Sequence, residues 1–140
     1  MPKQKYELAI LGATGAVGRE MVKVLEERHF PVSKLHLLAS ERSLGEKIEF
    51  DEDELMVSLP TTDLFSGVDI ALFSAGGDLS KKWAPIAAKQ GAVVIDNTSA
   101  FRMDAEVPLL VPEVNPEALG QFKNRRIIAK IGRASCRERV

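Results

Sequence analysis

The chain has 140 residues, 45% hydrophobic and 28% charged, with a formal net charge of −1. That composition supports one ordinary core in one domain and offers no basic excess to neutralise a nucleic acid, so DNA and RNA partners are not expected. One cysteine excludes an internal disulfide framework and fits a reducing compartment, and with His29, His36 and Cys136 dispersed no metal site is expected. Lys3 and Lys5 precede an apolar run far shorter than the roughly 7–15 residues of a secretion signal, and no stretch approaches the roughly 20 apolar residues of a membrane span; a cytoplasmic location is expected.

In chain order, Tyr6 to Leu11 reads as a buried strand. Ala16 to Arg28 carries Val17, Met21, Val24 and Leu25 at helical spacing and closes at His29-Phe30-Pro31. Pro31 to Lys34 reads as a lead-in loop to a second strand, Leu35 to Ala39. The charged segment 40–55, with Gly45, reads as a loop followed by short edge strands. Val68 to Phe73 is a further core strand, ending at Ser74-Ala75-Gly76-Gly77. Asp78 or Ser80 is placed to cap a helix running to Gln90, with Gly91 as its stop, and Pro85 is expected to kink or divide it. Ala92 to Asp96 and Arg126 to Ala129 complete the strands, and Asn115-Pro116-Glu117 between them reads as a helix start. Near-continuous apolar strands alternating with helices predict an α/β fold. It should be Rossmann-like and doubly wound, with a mostly parallel sheet and helices on both faces.

The first strand-to-helix turn is Gly12-Ala13-Thr14-Gly15-Ala16-Val17-Gly18, with a glycine every third residue. In this context such a turn holds a nucleotide pyrophosphate on backbone N–H groups: Gly12 permits the turn, Gly15 the approach of the phosphates, Gly18 the packing of helix on sheet. The second strand ends at Ala39-Ser40, followed by Glu41-Arg42-Ser43. A guanidinium beside a hydroxyl suits the 2′-phosphate of NADP, whereas Glu41 is either a ribose ligand or the ion-pair partner of Arg42. Ser74-Ala75-Gly76 lies at the carboxyl edge of the sheet, where small residues let the nicotinamide half pass close to the backbone. Asp96-Asn97-Thr98-Ser99-Ala100-Phe101-Arg102 lies on the same edge and is read either as an anion site ending in Arg102 or as a capped turn with a surface arginine. Trp83 and Phe101 are read as packing residues.

G-A-T-G-A-V-G at 12–18, A-S-E-R-S-L-G at 39–45, S-A-G-G at 74–77, V-V-I-D-N-T-S-A-F-R at 93–102 and V-P-E-V-N-P-E at 111–117 together resemble the aspartate-semialdehyde dehydrogenase family over residues 6–129. The resemblance implies NADP-dependent, reversible reductive dephosphorylation of aspartyl phosphate to aspartate semialdehyde, in lysine, threonine and methionine biosynthesis, by a homodimer or homotetramer. It assigns the cofactor pyrophosphate to Thr14, Gly15, Ala16 and Val17, and the 2′-phosphate to Arg42 and Ser43. The nicotinamide side falls to Ser74, Ala75 and Gly76, and the substrate phosphate to Arg102. The family continues from its I-I-A strand with N-P-N-C, whose cysteine is the nucleophile; here Lys130-Ile131-Gly132 follows Ala129. Cys136 lies at the wrong spacing, so it is not expected to be catalytic.

Residues 131–140 match the translation of a sequencing-adapter read-through. The expected organisation is therefore an NADP-binding domain over 1–130 and a non-native tail over 131–140, without the nucleophile or the substrate-binding and dimerisation domain, and hence without turnover. Three alternatives stand beside this reading. N-acetyl-gamma-glutamyl-phosphate reductase shares the order of motifs, and a non-catalytic NADP-binding module would need no Arg102. A short-chain-type reductase or epimerase requires a Tyr-x-x-x-Lys pair that a chain with Tyr6 as its sole tyrosine cannot supply.

Overall fold

The computed structural model describes residues 5–98, 109–110 and 127–130. Arg102, Phe101, the helix start at 115–117, Cys136 and the segment 131–140 lie outside the described residues.

A six-stranded sheet forms the centre, in the order β2-β1-β5-β6-β8-β7. Its strands are β1 (Tyr6–Leu11), β2 (Val32–Leu38), β5 (Ile70–Phe73), β6 (Val93–Asp96), β7 (Leu109–Leu110) and β8 (Ile127–Lys130). Every pairing within it is parallel. The apolar runs follow from burial on both faces. Along β1, Leu8 and Ile10 point to one side, into a cluster with Val22, Leu35, Leu37 and Val57. Ala9 and Leu11 point to the other, into a cluster with Leu38, Phe65, Phe73, Ala84 and Val94. Each fully buried Leu or Ile contributes roughly 2 kcal/mol of transfer free energy, so a strand that is apolar on one face only could not hold the centre.

Helix α1 (Ala16–Glu27) covers the first face and α2 (Gly77–Lys89) belongs to the second. The expected α/β, doubly wound architecture is therefore what the chain adopts. In α1 the buried stripe differs from the expected one. Gly18 and Val22 are buried and Met21 and Leu25 pack beside them, whereas Val17 and Val24 are left exposed. At about 100° per residue the positions 18, 22 and 25 align on one face, and 17 and 24 fall on its shoulder.

Further corrections concern boundaries. Strand β2 begins at Val32, not after Lys34, because Tyr6 N–H donates to the Pro31 carbonyl at 2.9 Å and starts the ladder earlier. The segment 40–55 does not supply edge strands to the main sheet. Its strands β3 (Lys47–Phe50) and β4 (Asp53–Met56) form a separate antiparallel pair. A turn with Asp51 and Glu52 both at positive φ joins them. The strand read as starting at Val68 starts at Ile70. Helix α2 has no side-chain cap: Gly76, at φ +115°, precedes its first residue. Ser80 lies inside the helix, fully buried. Pro85 neither ends nor divides α2, because buried Ala84 and Ala87, with Trp83 and Ile86 beside them, hold the helix to the sheet. Trp83 does pack, 6.0 Å from the Phe65 ring centre.

Candidate functional site

The chain leaves β1 towards β2 on one side and later returns to β5 on the other. The sheet order therefore reverses between β1 and β5, and open α/β sheets bind ligands outside the carboxyl ends of the strands at such a point. The turns after both strands meet there. Gly12, at φ +92°, lies so close to the second turn that a Cβ on it would sit 2.8 Å from the Ala75 nitrogen. Its N–H donates to the Leu38 carbonyl at 2.8 Å, and Ser74 N–H donates to the Leu11 carbonyl at 2.9 Å. Three strand ends are thus stitched into one floor.

On that floor lies a cavity of about 220 Å³ lined by Gly12, Thr14, Gly15, Ala39, Ser40, Ser74, Ala75 and Leu79. Five of the predicted residues (Gly12, Thr14, Gly15, Ser74, Ala75) are thereby brought together. Helix α1 opens into the same turn. Gly15 precedes its first residue, no side chain caps it, and its first turn holds no acidic residue. Its leading N–H groups and the positive end of its dipole are left for an anion. Gly15 leaves room for one: a Cβ there would meet only the Gly12 carbonyl oxygen, at 3.5 Å. Gly76 faces open space, with nothing within 4 Å of its Cβ position. Gly18 serves packing, since a Cβ would overlap the Gly12 carbonyl oxygen and lie 2.8 Å from Ala13 Cα.

Arg42 and Ser43 occupy a short helical turn, Glu41–Ser43, directly after β2. The Ser43 hydroxyl is 2.9 Å from that of Thr14, joining the two predicted phosphate contacts. Arg42 is exposed, and among the described residues it makes no ion pair, with Glu41 or any other. Ala16 and Val17 stand apart from the cavity, at the upper end of a groove of about 630 Å³ that also takes in Met21, Leu72, Ile95 and Asn97.

Some contributors were not singled out from sequence. Leu79 lines the cavity, one short step beyond the Ser74–Gly77 turn that announced it. The Arg19 Nε donates to the Thr14 carbonyl at 3.0 Å, and its guanidinium lies 3.6 Å from Glu46, bracing the glycine turn from outside. Asp96, which opens the polar run read as an anion site or a capped turn, is fully buried and accepts from Ser80 Oγ at 3.0 Å and from Thr98 N–H and Oγ1, each at 2.9 Å. The pattern D-N-T carried the signal for the last of these, as an aspartate bonding the backbone two residues on. Among the described residues no cluster of His, Cys, Asp and Glu suits a metal ion, and no helix is long and apolar enough to cross a membrane.

A family profile described as semialdehyde dehydrogenase, NAD binding domain, matches residues 7–122. The chain is 60% identical over 126 residues to aspartate-semialdehyde dehydrogenase 2 of Vibrio cholerae, a match that covers 90% of this chain and 37% of that protein. It is equally 60% identical over 125 residues to the aspartate-semialdehyde dehydrogenase of Aquifex aeolicus, covering 89% and 37%. Among solved structures, aspartate semialdehyde dehydrogenase II from Vibrio cholerae, complexed with ASA, superimposes with a TM-score of 0.87 at 59% identity, over 91% of this chain and 42% of that one. The chain spans less than half the length of each of these relatives. The parallel sheet, the glycine turn at its switch point and the extent of these matches together establish that the chain belongs to the semialdehyde dehydrogenase family, of which it carries the NAD-binding domain.

Proposed function

We propose that this chain is the NADP-holding part of an aspartate-semialdehyde dehydrogenase. The polypeptide it represents would interconvert L-aspartyl 4-phosphate and L-aspartate 4-semialdehyde with release or uptake of phosphate. When bound, the nicotinamide supplies or accepts the hydride of that reaction. The chain's own residues do the holding. The uncapped first turn of α1 and Thr14 receive the pyrophosphate, and Ser74, Ala75 and Gly76 line the nicotinamide side. Arg102 takes the substrate phosphate. Two features favour aspartyl phosphate over the N-acetyl-glutamyl analogue: the identity to enzymes of the former name and the V-I-D-N-T-S-A-F-R stretch. Assembly as a homodimer or homotetramer, in the cytoplasm, belongs to the same reading. The sole cysteine of the sequence, Cys136, follows Ala129 at a spacing other than that of the family's nucleophile, so it is not assigned that role.

The observation that carries the choice of NADP is Arg42, exposed, without an ion pair among the described residues and placed with Ser43 at the carboxyl end of β2. A free guanidinium there favours a 2′-phosphate dianion over a bare ribose hydroxyl. Isothermal titration of NADP and NAD into the chain and into Arg42→Ala tests this. The chain should prefer NADP by about tenfold or more, as one charge-assisted pair allows, and Arg42→Ala should lose most of that preference with NAD affinity unchanged. Equal affinities in the unaltered chain would overturn it.

A further inference from the structure

The end of β6 carries a group that the cofactor reading does not use. Asp96 stands in the middle of the sheet, level with Phe73 on β5 and with Ala129 on β8. It is 0% exposed. Burying a carboxylate is costly unless it is well satisfied, and this one accepts three hydrogen bonds. Two are on Oδ1, from Ser80 Oγ at 3.0 Å and Thr98 N–H at 2.9 Å; the third is on Oδ2, from Thr98 Oγ1 at 2.9 Å. Ser80 belongs to α2, whose first residue follows the Gly76 turn. Thr98 belongs to the turn after β6, whose Asn97 N–H donates to the Phe73 carbonyl at 2.9 Å. One side chain therefore ties the element after β5 to the turn after β6, both on the carboxyl edge of the sheet. Because successive residues alternate in direction, the same tie turns Asn97 to the opposite face, where it lines the groove with Ala16, Val17 and Ile95.

We propose that Ser80, Asp96 and Thr98 form a positioning unit for the nicotinamide half of the cofactor. The buried Asp96 carboxylate holds the β6 turn, and with it Asn97, at a fixed height beside the first turn of α1. The unit touches none of the adenosine end, which lies across β1 at Arg42 and Ser43. This inference rests on the NADP reading above. It separates two halves of one ligand, and that gives it a test independent of any activity.

NADP and adenosine 2′,5′-bisphosphate, which has the 2′-phosphate but no nicotinamide, are titrated calorimetrically into the 140-residue chain and into Ser80→Ala, Thr98→Val and Asp96→Asn, with thermal unfolding followed in parallel. Loss of one hydrogen bond to the carboxylate, in Ser80→Ala or Thr98→Val, should weaken NADP about three- to tenfold and leave the bisphosphate within about twofold. Asp96→Asn should retain NADP binding. Its amide oxygen accepts from Ser80 and the Thr98 N–H, and its amide nitrogen donates to the Thr98 hydroxyl oxygen. Variants that bind both ligands as the unaltered chain does, or that lose both equally, would overturn the proposal alone. An unaltered chain that binds neither ligand would remove the cofactor reading and this proposal with it.

Discussion

Gly15 and Gly18 lie one helical turn apart in one motif, yet a methyl group on each meets a different environment. At Gly18 a helix interior gains about 1 kcal/mol from glycine to alanine on propensity alone. Here the added Cβ would overlap the Gly12 carbonyl oxygen and crowd Ala13 Cα, backbone that cannot yield without opening the turn. Overpacking of that kind costs roughly 1–3 kcal/mol, occasionally more, and it outweighs the propensity gain. Gly18→Ala is therefore expected to lower the free energy of unfolding, measured in urea, by about 2 kcal/mol. Gly15 has an ordinary φ of −76°, and a Cβ there would make only an ordinary contact with the Gly12 carbonyl oxygen, at 3.5 Å. Gly15→Ala should cost about 1 kcal/mol or less, the difference between glycine and alanine before a helix. It should nevertheless weaken NADP at least about tenfold in calorimetry, because the methyl group would occupy the path proposed for the pyrophosphate. Equal stability losses and unchanged NADP binding in the two variants would contradict the roles assigned to them.

At the level of elements, α2 holds the clearest conflict between local preference and packing. Proline in a helix interior is roughly 3 kcal/mol less favourable than alanine, and Pro85 has no N–H for the carbonyl one turn earlier. The helix nonetheless runs unbroken from Gly77 to Lys89, because Ala84 and Ala87 are fully buried against the sheet. Pro85 itself is exposed, so its replacement sacrifices little packing. Pro85→Ala should raise stability by about 1–2 kcal/mol, less than the full propensity difference because alanine also frees the unfolded chain; a thermal midpoint no higher than that of the unaltered chain would count against this. The same conflict shows why some elements were legible and others were not. The strands of the central sheet are apolar on both faces, so Tyr6–Leu11 and the glycine turn after it could be read directly. Pro85 and Ser80 could not, since their places depend on what the sheet and Asp96 present to them. The β3–β4 pair was missed as a separate sheet because its strands are short and charged, with Ile48 their one buried residue. The glycine turn at the switch point was legible for a similar reason: glycine spacing is a backbone constraint written locally. The Ser80–Asp96–Thr98 tie joins residues that only the fold brings together.

At the scale of the molecule, among the described residues one helix packs on each face of the sheet. Helix α1 packs over β1 and β2 and contributes Val22, Met21 and Leu25 to that core. Beyond its far shoulder lies the groove of about 630 Å³ formed with Leu72 of β5 and Ile95 of β6. Val17, 51% exposed, and Val24, 36% exposed, lie along it. An apolar concavity of this size falls in the range of small-molecule pockets, and exposed apolar surface of this kind marks contact or aggregation. The folded chain is therefore expected to bind the apolar dye ANS and enhance its fluorescence. Val24 lines the groove about two helical turns along α1 from Ala16 and Val17, and it sits on a helix where lysine is at least as well tolerated as valine. Val24→Lys should place a charge in the dye's path. ANS fluorescence should fall severalfold, with the free energy of unfolding changed by no more than about 0.5 kcal/mol, as for a typical surface substitution, and with NADP affinity unaltered. Undiminished dye fluorescence in Val24→Lys would place the accessible apolar surface elsewhere on the molecule. A fall in NADP affinity alongside it would mean that the groove and the crevice at the switch point are one continuous site.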